Sequence, residues 1–364
     1  MNKNFLKFVL LVAPMFMVAQ KSNVLFLDQQ SEEPIIGLQI FSENGSFVAN
    51  TNSKGVFELD IKMLQQGGVK SIIAYNTDYV SLEFKLNEVP SLVYLKRNEM
   101  IQLDPVTVSA RKLSKYFTVK AYFRSWKLEN GKLIRYGDGL VSYRLPYADV
   151  RDNYSTGVKS NFSAYRTFNA DAVKQKSRII RIEFLGDDYL NVSRIPKNDL
   201  LKSRLYYEVD SIKDGYGAIY NEGKRIGFAN FDENNVAQEI NVHRAFEGED
   251  SEKIVFWEIS GKSTMIEKWT GVGEARHPNY LFNNYKKAVK AKDKFSYIET
   301  VTEIFIDDAI IDGDQRPENS KKDIDGDRSF YTTNYWEELL MKYPLPSEIT
   351  SQLIEVNENK NIYK

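Results

Sequence analysis

Val80-Ser81-Leu82-Glu83-Phe84-Lys85-Leu86 alternates apolar and polar side chains without a break. Successive side chains of a strand point to opposite faces, so the pattern predicts a strand with one buried and one wet face. Phe57-Glu58-Leu59-Asp60-Ile61 carries the same alternation earlier in the chain. Val141-Ser142-Tyr143-Arg144-Leu145 and Ile180-Arg181-Ile182-Glu183-Phe184 carry it later, and Val255-Phe256-Trp257-Glu258-Ile259 does so less cleanly. Turn chemistry separates the runs. Glu43-Asn44-Gly45-Ser46, Asn52-Ser53-Lys54-Gly55 and Gly67-Gly68 mark reversals in the first part. Asn130-Gly131, Asp138-Gly139, Asp214-Gly215, Asn221-Glu222-Gly223-Lys224 and Glu233-Asn234-Asn235 do so afterwards, because these residues tolerate the positive φ of tight hairpins. With 22 Tyr and 21 Phe the composition also favours strands. The reading is a mainly β protein built on antiparallel sheets.

Three segments in order, Val24-Leu25-Phe26-Leu27-Asp28, Glu33-Pro34-Ile35-Ile36-Gly37-Leu38-Gln39-Ile40 and Thr51-Asn52-Ser53-Lys54-Gly55-Val56-Phe57-Glu58-Leu59, resemble the carboxypeptidase regulatory-like domain. That family's glycine-rich turn and aromatic segment are matched by Gly67-Gly68 and Asn76-Thr77-Asp78-Tyr79, with Asp78 where the family has glycine. Leu103-Asp104-Pro105-Val106-Thr107-Val108-Ser109-Ala110 resembles the segment that closes this domain in envelope proteins, including the N-terminal extensions of TonB-dependent receptors. The resemblance covers residues 22–110 and implies a seven-stranded transthyretin-like β-sandwich. It does not imply carboxypeptidase chemistry, because the resembling part is the accessory module and no zinc-binding motif accompanies it.

Arg111-Lys112-Leu113-Ser114-Lys115 reads as a basic connector, so a second domain is expected over 112–364. Its first stretch, 116–126, suits a helix or a long strand. The alternating runs that follow predict a large antiparallel meander. Helices are expected over 169–176 and over 280–292, where Tyr285, Ala288 and Val289 share a helical face. Residues 307–328 read as an acidic loop. Tyr335, Trp336, Leu339 and Leu340 suit an amphipathic helix over 331–343 that Pro344 ends, and Ser347 suits the cap of a last helix carrying Ile349 and Leu353. The expected architecture is therefore an N-terminal transthyretin-like sandwich followed by a larger antiparallel β domain with peripheral helices.

The chain opens with Lys3 and Lys7, no acid, and an apolar run from Phe8 to Val18 before Ala19-Gln20-Lys21. That is the layout of a secretory signal peptide over 1–19, cleaved after Ala19 although Met17 stands where a small residue is preferred. The run is too short for a permanent anchor across a ~30 Å hydrocarbon core, and Pro14 interrupts it, so no transmembrane anchor is expected in the mature chain. Lys plus Arg number 49 and Asp plus Glu 50, which leaves no field to draw nucleic acid or an anionic bilayer. The absence of cysteine excludes disulfides, thiolate chemistry and a lipid-anchor cysteine. These features predict export to the periplasm or an outer-membrane-associated site in a Gram-negative-type envelope.

Chemistry-bearing patterns are sparse. Zinc would need both His243 and His277, the only two histidines, plus a distant carboxylate, without paired ligand spacing. His243 reads as a solvated strand residue beside Glu239 and Asn241, and His277, before Pro278, as a loop residue. Ser260-Gly261-Lys262-Ser263-Thr264 lacks the first glycine of a phosphate loop and is not a nucleophile elbow, so it reads as a hairpin turn. Asp323, Asp325 and Asp327 alternate as in the opening of a calcium loop and are the candidate metal ligands. Arg328 and Asn334, however, stand where that loop needs glycine and a bidentate glutamate, and the alternative is a solvated acidic loop. No catalytic residue and no other cofactor is indicated. The expected role is that of a non-catalytic envelope protein, an interaction or assembly module whose partner is an envelope protein or a glycan or lipid-like ligand. A periplasmic carrier of an apolar ligand and a carboxylate-based hydrolase are the alternatives.

Overall fold

The computed structural model describes residues 22–98, 114–147, 159–170, 190–204, 206–210, 212–213, 215–246, 252–254, 257–291 and 294–360. The expected leader, the 103–110 segment, most of the basic connector, the 180–184 strand and residues 171–176 of an expected helix lie outside these. The chain separates into two compact units, one of residues 1–100 with 346–348 and one of residues 101–345 with 349–364.

The first unit holds β1 (Ser22–Asp28), β2 (Gln39–Ser42), β3 (Phe47–Asn50), β4 (Val56–Leu59), β5 (Ser71–Asn76), β6 (Tyr79–Lys85) and β7 (Leu92–Leu95). They form two sheets, β4-β1-β7 and β3-β2-β5-β6. Alternation drives the layering: Val24, Phe26, Phe57, Leu59, Val93 and Leu95 from the first sheet pack with Ile40, Ile72 and Ala74 from the second. Pairing is antiparallel except β1 with β7, which is parallel. Two local expectations change. Ile61 leaves the strand and starts helix α1 (Ile61–Gln66), because the Asp60 carboxylate accepts the Met63 N–H and caps it. On β6 the pairing with β5 slips between Ala74 and Asn76, and β6 is the sheet edge. Phe84 and Leu86 therefore pack on the core while Val80 and Leu82 stay exposed. Asp28, buried at the end of β1, accepts from the Gln30 and Ser31 N–H groups, the Tyr79 hydroxyl and Arg97. The Arg97 side chain, before the backbone donors, holds the Asp28 carboxyl well below its ordinary range, and burial pushes the Tyr79 phenol up to about 12.

In the second unit the described strands are β8 (Tyr116–Glu129), β9 (Lys132–Pro146), β10 (Lys159–Asn169), β11 (Tyr207–Val209), β12 (Tyr216–Asn221), β13 (Lys224–Phe231), β14 (Ala237–Phe246), β15 (Glu252–Ile254), β16 (Trp257–Thr270), β17 (His277–Ala291) and β18 (Lys294–Asp312). They form one antiparallel sheet in the order β10-β9-β8-β18-β17-β16-β14-β13-β12-β11, with β15 on β16. Strands β8–β10 and β11–β18 form two meanders, the second with β16 rather than β15 beside β14, and the pairing of β18 with β8 joins them into one sheet. Phe117, Val119, Phe123, Val141, Tyr143, Leu145, Phe162 and Ile304 form one core on it, and Ile219, Ala229, Ile240 and Val242 another.

The helices are peripheral: α2 (Leu200–Ser203), α3 (Trp336–Lys342) and α4 (Ser347–Lys360). Residues 116–126 are strand. Residues 280–291 of the helix expected over 280–292 instead lie in β17, hydrogen-bonded to β16 and β18 on its two sides. Flanking strands satisfy its backbone groups and override the helical propensity of its lysines and alanines. Asn169, expected to open a helix, ends β10. Asp307 to Asp312, expected in the acidic loop, extend β18. The tail helix is shorter than the 331–343 reading and stops before Pro344 as anticipated, while Ser347 starts the last helix.

Candidate functional site

Cross-strand partners in a sheet share a face. The registers Arg166↔Asp138, Asp138↔Arg124, Arg124↔Glu303, Glu303↔Phe282, Phe282↔Ile266, Ile266↔Asn241 and Asn241↔Phe228 therefore run one row of side chains across β10, β9, β8, β18, β17, β16, β14 and β13. Every member is buried, although this is the face opposite the Phe117–Ile304 core. Half of the row is ionic, with signs alternating from strand to strand, and half is apolar around one carboxamide.

Asp138 is the hub of the ionic half. Arg166 grips it through Nε (3.1 Å to Oδ1) and Nη2 (2.6 Å to Oδ2), a bidentate geometry that suits a planar guanidinium. The hydroxyls of Tyr136 (2.9 Å) and Tyr122 (3.3 Å) donate to Oδ2, and that of Tyr335 lies 3.1 Å from Oδ1 and 3.0 Å from the Asp138 carbonyl oxygen. Burial, reinforced by the Asp138 charge, raises all three phenols far above their ordinary value, so they act as donors and not as acids. The Arg166 guanidinium also stacks 4.6 Å over the ring of Trp336 on α3.

One strand further, Arg124 Nε meets Glu303 at 2.6 Å, and its Nη1 donates to the carbonyl oxygen of Tyr343, just past α3. Tyr280 donates to the other Glu303 oxygen at 2.8 Å. The Tyr343 ring stacks on Phe305 at 4.0 Å and on Tyr122 at 6.3 Å. Both ion pairs thus hold the tail segment 335–343 against the sheet. Leaving one partner of such a buried pair alone is strongly unfavourable, which makes the quartet a geometric lock.

Toward β14 the same face turns apolar, then polar. Ile266 and Phe228 flank Asn241 in the row, with Phe282 beyond Ile266, and among the described residues neither Oδ1 nor Nδ2 of the fully buried Asn241 has a hydrogen-bond partner. The neighbouring row is engaged: His243 Nδ1 lies 3.0 Å from Thr264 Oγ1, Asn284 donates to Glu299 at 2.7 Å, and Lys286 approaches Glu299 at 3.4 Å.

On the opposite face, Glu267 of β16 accepts from Leu200 N–H at 2.8 Å and Trp269 Nε1 at 3.0 Å. Asp199 caps α2 through Lys202 N–H and pairs with Arg276 at 2.6 Å, and Lys197 donates to the carbonyls of Glu274 and Arg276. These contacts pin 197–202 to the sheet. Burial pushes the Glu267 carboxyl up to about 7, against the lowering pull of its two hydrogen-bond donors.

The residues singled out from sequence are dispersed. Asp323, Asp325 and Asp327 do not converge: Asp325 Oδ1 accepts the Asp327 N–H, and Asp327 accepts from Asn169 at 2.8 Å. Among the described residues no group of three or more His, Asp or Glu side chains is placed to hold a metal ion. Their segment instead shields the edge of the sheet, because Lys321 and Phe330 pair with Phe162 and Tyr165 of β10 on either side of the acidic turn. His243 is an exposed strand residue, but Asn241 on the same face is buried, not wet. His277, read as a loop residue, is buried at the start of β17, and its Nδ1 contacts the Ala275 carbonyl at 2.9 Å. The 260–264 hairpin reading fails as well, since these residues lie inside β16 with strands on both sides. Asp138-Gly139, read as a turn, sits mid-strand. Gly139 is required there because a Cβ would come within 2.5 Å of the Ala164 carbonyl and 2.7 Å of the Phe123 ring. The signal that could have flagged Asp138 was its position between two alternating apolar stretches.

No protein-family model matches the chain and no curated protein matches it. Among solved structures, one described as lipid–protein interactions in lipovitellin is among those that match, over 57% of this chain and 27% of that chain, at 6% identity and a TM-score of 0.20. The chain spans little more than a quarter of that protein's length. At that score the likeness carries no inference. Among the described residues no helix is long and apolar enough to cross a membrane.

Proposed function

We propose that this chain is an exported, non-catalytic envelope protein whose N-terminal sandwich is a carboxypeptidase regulatory-like assembly module and whose large sheet presents a binding face. The observation that carries the reading is how three of the buried acids are used. Asp138, Glu303 and Asp199 are each held by an arginine, and phenols or a backbone N–H fill the remaining positions. Such acids stiffen a scaffold, whereas a general acid and base must be open to a substrate proton. Cross-linking in the native envelope followed by purification tests it: a cross-linked envelope partner is expected, and a free monomer with no partner overturns it. N-terminal sequencing of the purified protein is expected to begin at Gln20, and an intact leader on cytosolic protein contradicts export.

A second reading, a carrier of an apolar ligand, draws on the Phe282–Ile266–Phe228 stretch of the sheet face. Native mass spectrometry is expected to find a co-purifying lipid-like molecule, and its absence counts against this reading. For the hydrolase alternative the nearest acids are Glu267 and Asp199, and both anchor α2 to the sheet.

A further inference from the structure

A strand covered on one face alternates apolar and polar side chains, whereas a strand covered on both faces is apolar throughout. β1 carries Val24-Leu25-Phe26-Leu27 and β7 carries Leu92-Val93-Tyr94-Leu95, four apolar residues in a row in each. The sandwich core takes Val24, Phe26, Val93 and Leu95. The other four point out of the sheet. The parallel register Leu25↔Leu92 and Leu27↔Tyr94 sets them side by side, and Leu25↔Val56 adds β4 to the same face. Leu92 is 42% exposed and Tyr94 45%, while Leu25, Leu27 and Val56 are half-buried. Val80 of β6, itself exposed, continues the patch, because its N–H donates to the Lys96 carbonyl at 2.9 Å and sets it opposite the next outward residue after Tyr94. An exposed apolar surface thus lies on strands whose sequence is that of strands buried on both sides.

Resting on the assembly-module reading of the sandwich, we propose that this face pairs with the same face of a second copy of the chain. The charges at its two ends suit that pairing. The exposed Glu58, opposite Asn23, stands at one end on β4, and the exposed Lys96 stands at the other end just past β7. In the order β4-β1-β7 these are the two edge strands, so acid and base occupy opposite corners. A two-fold contact of the face with itself brings Glu58 of each copy to Lys96 of the other, with Leu25, Leu27, Leu92 and Tyr94 meeting in the middle. A partner surface of one charge sign leaves one corner against its own sign. The patch is three strands wide, about 15 Å by 20 Å. That is the low end of specific interfaces, so pairing is expected at micromolar concentrations.

Sedimentation equilibrium of the purified full-length mature protein across the micromolar range tests this. A monomer–dimer equilibrium is expected. Leu92→Ser with Tyr94→Ser is expected to weaken it at least about tenfold, with the melting temperature unchanged because both side chains are already exposed in the single chain. Glu58→Lys and Lys96→Glu are each expected to weaken it, by setting like charges together at both corners. Carrying both changes in one chain, or mixing the two single variants in equal amounts, is expected to restore the dimer, a result specific to a face that meets itself. A dimer indifferent to all of these substitutions uses another surface and refutes the proposal. If the wild type is monomeric but its cross-linked envelope partner is lost in the L92S/Y94S variant, the second copy is refuted and the assembly reading stands. If it is monomeric and cross-links to nothing, both fall.

Discussion

Glu267 provides the sharpest prediction, because its environment makes a signed statement about stability and pH. Its carboxyl is buried on β16 and titrates near 7 in the folded chain, against 4.5 ordinarily. Between these two pH values the folded protein keeps a proton that the unfolded chain releases, so this group makes stability fall as pH rises from about 4.5 to 7 and adds no further change above. At ~1.4 kcal/mol per tenfold difference in proton affinity, the full effect is on the order of 3 kcal/mol. Glu267→Gln keeps the shape and an acceptor for Leu200 N–H and Trp269 Nε1, and removes the titration. The informative quantity is the difference between the variant and the wild type, since other groups cancel. Denaturant unfolding followed by tryptophan fluorescence is expected to find the two similar near pH 5, with E267Q gaining ~2–3 kcal/mol by pH 8. Parallel stability curves for the two proteins from pH 5 to 8 would refute the assignment of a buried, weakly acidic carboxyl.

Asp138→Ala strands the Arg166 guanidinium in a buried site and is expected to cost ~3–5 kcal/mol in urea unfolding. Combining it with Arg166→Met should recover most of that loss, and no recovery would argue against a paired hub. Gly139→Ala is expected to cost ~1–3 kcal/mol, because its Cβ would press on the Ala164 carbonyl and the Phe123 ring, and an unchanged melting temperature would contradict that packing. Replacing residues 321–330 with a Gly-Ser linker frees the outer edge of β10. Concentration-dependent self-association by light scattering is the expected result, and a strictly monomeric variant would show that the segment is not an edge guard. Calcium titrated into the protein is expected to release no heat, since Asp325 and Asp327 already serve as acceptors within the chain; a saturable signal lost in Asp325→Asn would restore a metal site there.

Much of the fold was legible because it depends on local alternation. Phe57, Leu59, Val141, Tyr143 and Leu145 all turn inward as their spacing predicts, and Asn130-Gly131 and Glu222-Gly223 are the hairpin turns they resemble, with φ of 50°, 78°, 51° and 72°. The candidate site was not legible. Arg166, Asp138, Arg124 and Glu303 come from four different strands, and nothing in their local sequence marks them as buried. Their burial comes from the tail segment 335–343 folding over that face. Asp138-Gly139 was misread because a local hairpin signal cannot report that Phe123 and β10 crowd the glycine from both sides.

The sequence alone determined that the chain is built from antiparallel strands with peripheral helices, because side-chain alternation and turn residues act over only a few neighbouring positions. Tertiary structure alone decided which polar residues went inside. The order of strands in the large sheet brings four charges from β10, β9, β8 and β18 into one row and, further along it, leaves the buried Asn241 without a hydrogen-bond partner among the described residues. Whether a charge or an amide is costly or stabilising depends on the groups that desolvate it, and those arrive from distant parts of the chain.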